Sequence, residues 1–305
     1  MKDKIKYFIQ AARPNQWVKN FIIYTAIIFS GKLFDPQLFL DTTIGFFIFC
    51  LLSSTSYILN DIIDYKYDKK HPTKKNRPLA AGLISIPDAT LVVFVMSFIS
   101  LICALFFSVS LFLLALTFLV LHFVYSLYFK KKPVFDIFAI SFSFMIRAFA
   151  GAVITGYHIQ IWMLLTIFFI SLFIATVKRH AELVNHGLET RYSLYFYKEH
   201  MLDFLTNTFA TLTIVCYSLY TFLEKLPQIA TPFSDFFSYI FPDFEARKWI
   251  MVTIPLVVYG IARYAQLLYD DQKGETPEKI ITQDKPLIVT IILWGAVVIS
   301  LIYIF

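Results

Sequence analysis

Charge, glycine and cysteine are all scarce in this 305-residue chain. Only 16% of residues are Asp, Glu, Lys or Arg, 58% are hydrophobic, and the mean hydropathy is +0.67, which excludes an ordinary soluble globular domain. The nine glycines form no flexible linker, and no low-complexity stretch or soluble domain interrupts the chain, so residues 1–305 read as one membrane domain. Cys50, Cys103 and Cys216 fall inside apolar runs without metal-ligand spacing and read as small packing residues. The six histidines show no ligand spacing either, and His122 reads as packed rather than catalytic. The N-terminal Met-Lys-Asp-Lys-Ile-Lys lacks the short apolar core and cleavage site of a signal peptide, so the first hydrophobic run is expected to be a retained span.

Long apolar runs dominate instead. Stretches able to cross a bilayer recur at about 16–33, 38–59, 87–107, 109–129, 135–156, 160–177, 204–223, 249–269 and 286–304, with the break near Ser108 the weakest boundary. Nine spans put the termini on opposite sides. With the N-terminus inside, the inside segments hold 22 of the 27 Lys and Arg residues, as the positive-inside rule expects. The net charge of +6 is scattered over these loops, so anionic headgroups explain it better than nucleic acid, and no nucleic-acid partner is expected. Gly151 and Gly156, near one end of the fifth span, read as points of close helix contact. The connection 224–248, rich in Pro and Phe, reads as an interfacial or re-entrant segment.

One acidic cluster stands out at the end of the second span. In Asn60-Asp61-Ile62-Ile63-Asp64-Tyr65-Lys66-Tyr67-Asp68 the three aspartates are spaced i, i+3, i+7, so a helix puts them on one face. Three carboxylates on one face repel one another, and magnesium, an oxygen-seeking cation that bridges carboxylates to phosphates, would relieve that repulsion. Lys74 and Arg77 follow in a loop punctuated by Pro72 and Pro78, so a metal-binding acid and a phosphate-binding base lie side by side. A solvated juxtamembrane loop with mutual salt bridges is the plainer alternative. Arg147, inside the fifth span, either recognises a phosphate or forms a buried pair that fixes helix packing, with Ser143 and Asp136 on a similar face. Lys130 with Tyr125 reads from spacing alone as a snorkelling lysine beside an interfacial tyrosine. Lys178 and Glu182 form an ordinary i, i+4 pair, and Arg263 is placed to snorkel.

The motif Asn-Asp-x-x-Asp-x-x-x-Asp followed by Arg77-Pro78-Leu79-Ala80-Ala81-Gly82 resembles the UbiA-type intramembrane transferases. The resemblance extends to their decaprenyl-phosphate phosphoribosyltransferase branch through Arg13-Pro14-Asn15-Gln16-Trp17-Val18-Lys19-Asn20, His71-Pro72-Thr73-Lys74, Tyr125-Ser126 with Lys130, Arg147-Ala148, Lys178-Arg179-His180-Ala181-Glu182-Leu183, Arg263-Tyr264-Ala265 and Gly274-Glu275-Thr276-Pro277-Glu278. It implies an all-α integral membrane protein of about nine helices around a central cavity open to the cytoplasm and to lipid. Where aromatic prenyltransferases of the superfamily carry a second acidic motif, this chain has Lys178-Arg179-His180-Ala181-Glu182, which suits a ligand with a further phosphate.

The resemblance thus implies transfer of 5-phosphoribose from phosphoribosyl diphosphate to a polyprenyl phosphate, with magnesium as cofactor on Asp61, Asp64 and Asp68 and Asn60 supporting them. Lys19, Lys74, Arg77, Tyr125, Lys130, Arg147, Lys178, Arg179 and Glu182 are the expected substrate-binding residues. An aromatic prenyltransferase with a polyprenyl diphosphate donor and, further off, a transporter are the alternatives. A homo-oligomer is compatible with the sequence but not specified by it.

Overall fold

The structure, a computed structural model, describes residues 2–71, 74–186, 197–224, 227, 236, 239–240, 249–269 and 283–304. These form helices joined by short turns, with no strand among the described residues. Among the described residues, eight helices are long and apolar enough to cross a membrane. The chain packs as two compact units, one of Met1–Tyr24 and Leu40–Gly156, the other of Thr25–Phe39 and Tyr157–Phe305.

The first unit begins with α1 (Lys2–Ala12), whose Tyr7, Phe8 and Ala11 pack with Ile58, Leu79, Ile84 and Ala89. Next comes a 3₁₀ helix, Pro14–Tyr24. Eleven residues is long for a 3₁₀ helix, since its hydrogen bonds are poorer than those of an α-helix. Its exact three-residue repeat places Trp17, Asn20 and Ile23 in one line. Trp17 Nε1 donates to Ser54 Oγ (3.0 Å), and Asn20 and Ile23 are fully buried. The first expected span is therefore not one long α-helix: this 3₁₀ helix ends at Tyr24 and the short α2 (Thr25–Phe29) follows in the second unit. Gly151 explains the fit, because a Cβ there would lie 2.0 Å from the Ile23 carbonyl oxygen. Gly156 has a different role: it ends its helix at φ +73 with open space around it.

Helix α3 (Pro36–Asp68) starts on a strong signal, Asp35 capping Gln37 and Leu38 ahead of Pro36. Its 33 residues extend about 50 Å at ~1.5 Å per residue, well beyond the ~30 Å of a hydrocarbon core. Its apolar part, expected over 38–59, thus carries the acidic cluster out on the same rigid helix. Helices α4 (Ile86–Phe107) and α5 (Val109–Leu127) meet at Ser108, which ends one and caps the other, where the sequence suggested the break. Helix α6 (Phe135–Thr155) completes the unit, and Ile23, Phe49, Leu52, Leu111, Phe118 and Ala150 form its core.

The second unit holds α7 (Ile161–His186), α8 (Glu199–Leu223), α9 (Ile254–Tyr269) and α10 (Lys285–Tyr303). Helix α7, like α3, continues past its expected apolar end, here at 177, and carries Lys178 to Glu182. Tyr217 links the unit's helices, bonding Thr253 Oγ1 at 2.6 Å and accepting from Trp294 Nε1 at 2.8 Å. Arg263 is fixed rather than snorkelling: it pairs with both oxygens of Asp284 (3.2 and 2.7 Å), and Asp284 caps α10 through the Leu287 amide. The aromatic connection 224–248 falls almost wholly outside the described residues, and Gly274–Glu278 entirely so.

Candidate active site

The expected one-face geometry of the aspartates holds, because α3 is helical through Asp68. Asp61 and Asp68 are buried and Asp64 is half-buried. Their mutual repulsion is relieved by protein cations. Arg77 Nη1 donates to Asp61 Oδ1 at 3.1 Å and to Asp68 Oδ2 at 2.7 Å, bridging the two. Arg13 also pairs with Asp61, and Lys130 pairs with Asp64. Three carboxylates thus meet three cations drawn from three separate parts of the chain.

Local structure explains each placement. Arg77 follows a one-turn 3₁₀ helix (Lys74–Asn76) and opens a tight turn in which the Ala81 amide donates to the Arg77 carbonyl (2.8 Å). Leu79, 1% exposed, anchors the turn against Ile58 and Ile84, and Gly82 closes it at φ +75, a conformation a side chain would resist. Arg13 joins α1 to the 3₁₀ helix at φ +53, unusual for a residue with a Cβ, and its guanidinium lies over the Tyr57 ring at 5.1 Å. A strained backbone at a charged junction is where functional constraint concentrates. Lys130 is held in a 3₁₀ turn (Phe129–Lys131) just after α5.

Arg13 is the site residue that sequence reasoning passed over. It stood inside the Arg13-to-Asn20 motif, but a contact 48 residues away leaves no local signal. Asn60 is half-buried, one helical turn before Asp64. Lys19 lies half-buried on the 3₁₀ helix and Tyr125 half-buried on α5, its ring 6.5 Å from that of His122. The Lys74 amide faces His71 Nδ1 at 3.4 Å.

Arg147 lies elsewhere. It is 3% exposed and its donors are taken up within the protein: Nε by Asn20 Oδ1 (2.6 Å), Nη1 by the Ser143 carbonyl and hydroxyl (2.9 and 3.0 Å), Nη2 by Ser53 Oγ (3.3 Å). Its guanidinium also lies 4.6 Å from the Phe118 ring centre and 5.3 Å from that of Phe144. No described carboxylate contacts it, so the Arg–carboxylate pair considered from the sequence does not form, and Asp136 is not its partner. Ser53 is eight residues before Asp61 on α3, about 12 Å along the helix. Asn20, the hub that also donates to Cys50 Sγ (3.3 Å) and accepts from Ser53 (3.3 Å), was not expected.

In the second unit Arg179, 1% exposed, pairs with Glu182, and His180 Nδ1 lies 3.5 Å from Asp203 on α8. Lys178 is half-buried on the same helix.

The aspartates are a hard-oxygen donor set of the kind magnesium takes, and guanidinium and ammonium groups around them suit phosphate. Among the described residues no group of three His, Cys, Asp or Glu is already gathered around one metal position. The side chains hold their charges in ion pairs that an ion and an anionic ligand could exchange.

Comparison with known proteins identifies the family. The UbiA prenyltransferase family model matches residues 21–281. A decaprenyl-phosphate phosphoribosyltransferase from Corynebacterium glutamicum is 32% identical, covering 97% of this chain and 86% of its own. The protein of that name from Mycolicibacterium smegmatis is 31% identical over 99% and 94% of the two chains. Among solved structures, a UbiA homologue from Archaeoglobus fulgidus bound to GPP and Mg2+ superposes with a TM-score of 0.71 at 20% identity, covering 97% of this chain and 99% of that one. The fold, the acidic helix and near full-length similarity agree: this integral membrane protein belongs to the UbiA prenyltransferase family.

Proposed function

We propose that this protein transfers 5-phosphoribose from phosphoribosyl diphosphate to a polyprenyl phosphate, releasing diphosphate. The observation that carries this reading is the near full-length similarity to proteins named decaprenyl-phosphate phosphoribosyltransferase. The acidic cluster ringed by Arg13, Arg77 and Lys130 supports it, because a donor bearing several phosphates needs both a metal seat and cations.

Asp61, Asp64 and Asp68 would hold magnesium, with Asn60 beside them; when bound, the ion supplies charge neutralisation for the departing diphosphate. Arg77 and Lys130 exchange carboxylate for phosphate oxygens when donor arrives, and Lys74 adds charge nearby. The anomeric carbon–oxygen bond breaks with its electron pair leaving on diphosphate, and an acceptor phosphate oxygen forms the new bond to that carbon. The acceptor is already an anion, so no side chain need remove a proton, and positive charge spreads onto the ring oxygen in the transition state. Lys19 and Tyr125 serve further phosphate oxygens, and in the second unit Glu182 holds Arg179 in place. Arg147 braces the 3₁₀ helix that carries Lys19 and begins directly after Arg13. The cytoplasmic side, supported by the Lys and Arg distribution, is where a water-soluble donor would be met.

Purified protein in liposomes, given phosphoribosyl diphosphate, polyprenyl phosphate and magnesium, should form lipid-linked phosphoribose and diphosphate in equal amounts. Chelation should stop the reaction. Product only with a polyprenyl diphosphate and an aromatic acid would replace this reading with the prenyltransferase one.

A further inference from the structure

Around the Arg13 junction, helix α1 and the 3₁₀ helix after it line an open cleft of about 560 Å³. Lys6, Ile9 and Gln10 line one wall, three and four residues apart along α1, and Pro14, Asn15 and Gln16 line the other. Arg13, at the apex, also lines it and is the residue whose guanidinium reaches Asp61. The lining therefore offers two cations and several amides with no carboxylate, beside an apolar strip, Ile5 and Ile9, that is 60% and 55% exposed. Basic residues next to exposed aliphatic side chains on one amphipathic helix are what a membrane–water interface selects.

We infer that this cleft binds the phosphate head of a single-chain isoprenoid phosphate, the acceptor in the reaction proposed above, before it reaches the acidic cluster. Lys6 and Arg13 hold the phosphate, the cleft's amides donate to its oxygens, and Ile9 and Ile5 lie against the first isoprene units. An anion in the cleft shares the Arg13 guanidinium with Asp61, so filling the cleft loosens one of the two arginines on that aspartate. The assignment rests on the proposed transferase function for the identity of the lipid, not for the existence of the cleft.

The test uses the full chain in phosphatidylcholine nanodiscs titrated with geranylgeranyl phosphate, without donor or metal. A Lys near a membrane surface contributes about fivefold in affinity for an anionic lipid. Lys6→Gln should weaken binding about fivefold, whereas Lys4→Gln, which removes the same charge from the same helix but pairs with Asp88 outside the cleft, should change it less than about twofold. Equal effects of the two would overturn the inference in favour of general surface charge. Displacement of geranylgeranyl phosphate by equimolar inorganic phosphate or phosphatidylglycerol would overturn it in favour of a free-phosphate or general anionic-lipid site. Because binding is read without turnover, the two readings fail separately: an active enzyme whose binding ignores Lys6 sinks the cleft, and Lys6-dependent binding in a protein that transfers no phosphoribose sinks the function.

Discussion

Two buried charge centres in the first unit, about 12 Å apart along α3, are handled in opposite ways. At Asp61, Asp64 and Asp68, charge meets charge, and each carboxylate is held by a partly exposed cation from a turn or junction. At Arg147, a single cation is held without a counter-ion by an amide, two hydroxyls, a carbonyl and two aromatic rings. Buried ion pairs gain little net stability, because desolvation offsets attraction, so a cluster of them is a place where partners can be exchanged. A cation satisfied by neutral dipoles inside packed helices has no such freedom. In the proposed reaction the first centre takes up ligand charge, whereas the second holds the 3₁₀ helix against α3 and α6.

Breaking the acidic centre should have the largest effect on activity. Asp64→Ala removes the carboxylate that pairs with Lys130 and with it one of the three oxygen-donor groups. Turnover measured with phosphoribosyl diphosphate should fall at least a hundredfold, about 2.7 kcal/mol, while the protein remains folded by size-exclusion chromatography. Breaking the Arg147 centre should show first in stability. Arg147→Ala removes the donor on Asn20 Oδ1 and opens a cavity beside Phe118, at a cost of about 3 kcal/mol read as a lower melting temperature. Arg147→Lys should recover only part of this, because an ammonium cannot reach Asn20, Ser143 and Ser53 with one planar fork. A large rise in donor KM for Arg147→Lys with an unchanged melting temperature would make it a substrate ligand instead. Gly151→Ala, whose Cβ would meet the Ile23 carbonyl, should lower stability by about 2 kcal/mol in the same assay. Gly82→Ala has space but the wrong φ, and should lower stability by about 1 kcal/mol, with a larger effect on turnover through Arg77.

Much of this was legible in the sequence, and the remainder was hidden for identifiable reasons. Among the described residues eight of the expected apolar runs appear as long helices, since burial in lipid leaves a continuous hydrophobic signal. Hydropathy does not report where a helix continues into water, so the extensions of α3 to Asp68 and α7 to His186 were invisible to it. Yet the acidic motif Asn60–Asp68 and the motif Lys178–Leu183 ride on those extensions. The first run failed as a long α-helix because a three-residue repeat of Trp17, Asn20 and Ile23 is indistinguishable by hydropathy from an α-helical face. The aspartate spacing was local and was read correctly. Their cations were not all local: Arg77 lay nearby, but Arg13 and Lys130 reach the cluster across 48 and 66 residues, and Arg147 reaches Asn20 across 127.

The most direct test of the acidic cluster as the seat of the donor's diphosphate is calorimetric titration of phosphoribosyl diphosphate, with magnesium present, into the wild type and Asp64→Ala. The expected result is at least a tenfold loss of affinity in the variant, about 1.4 kcal/mol. Equal affinity in the two proteins would contradict it.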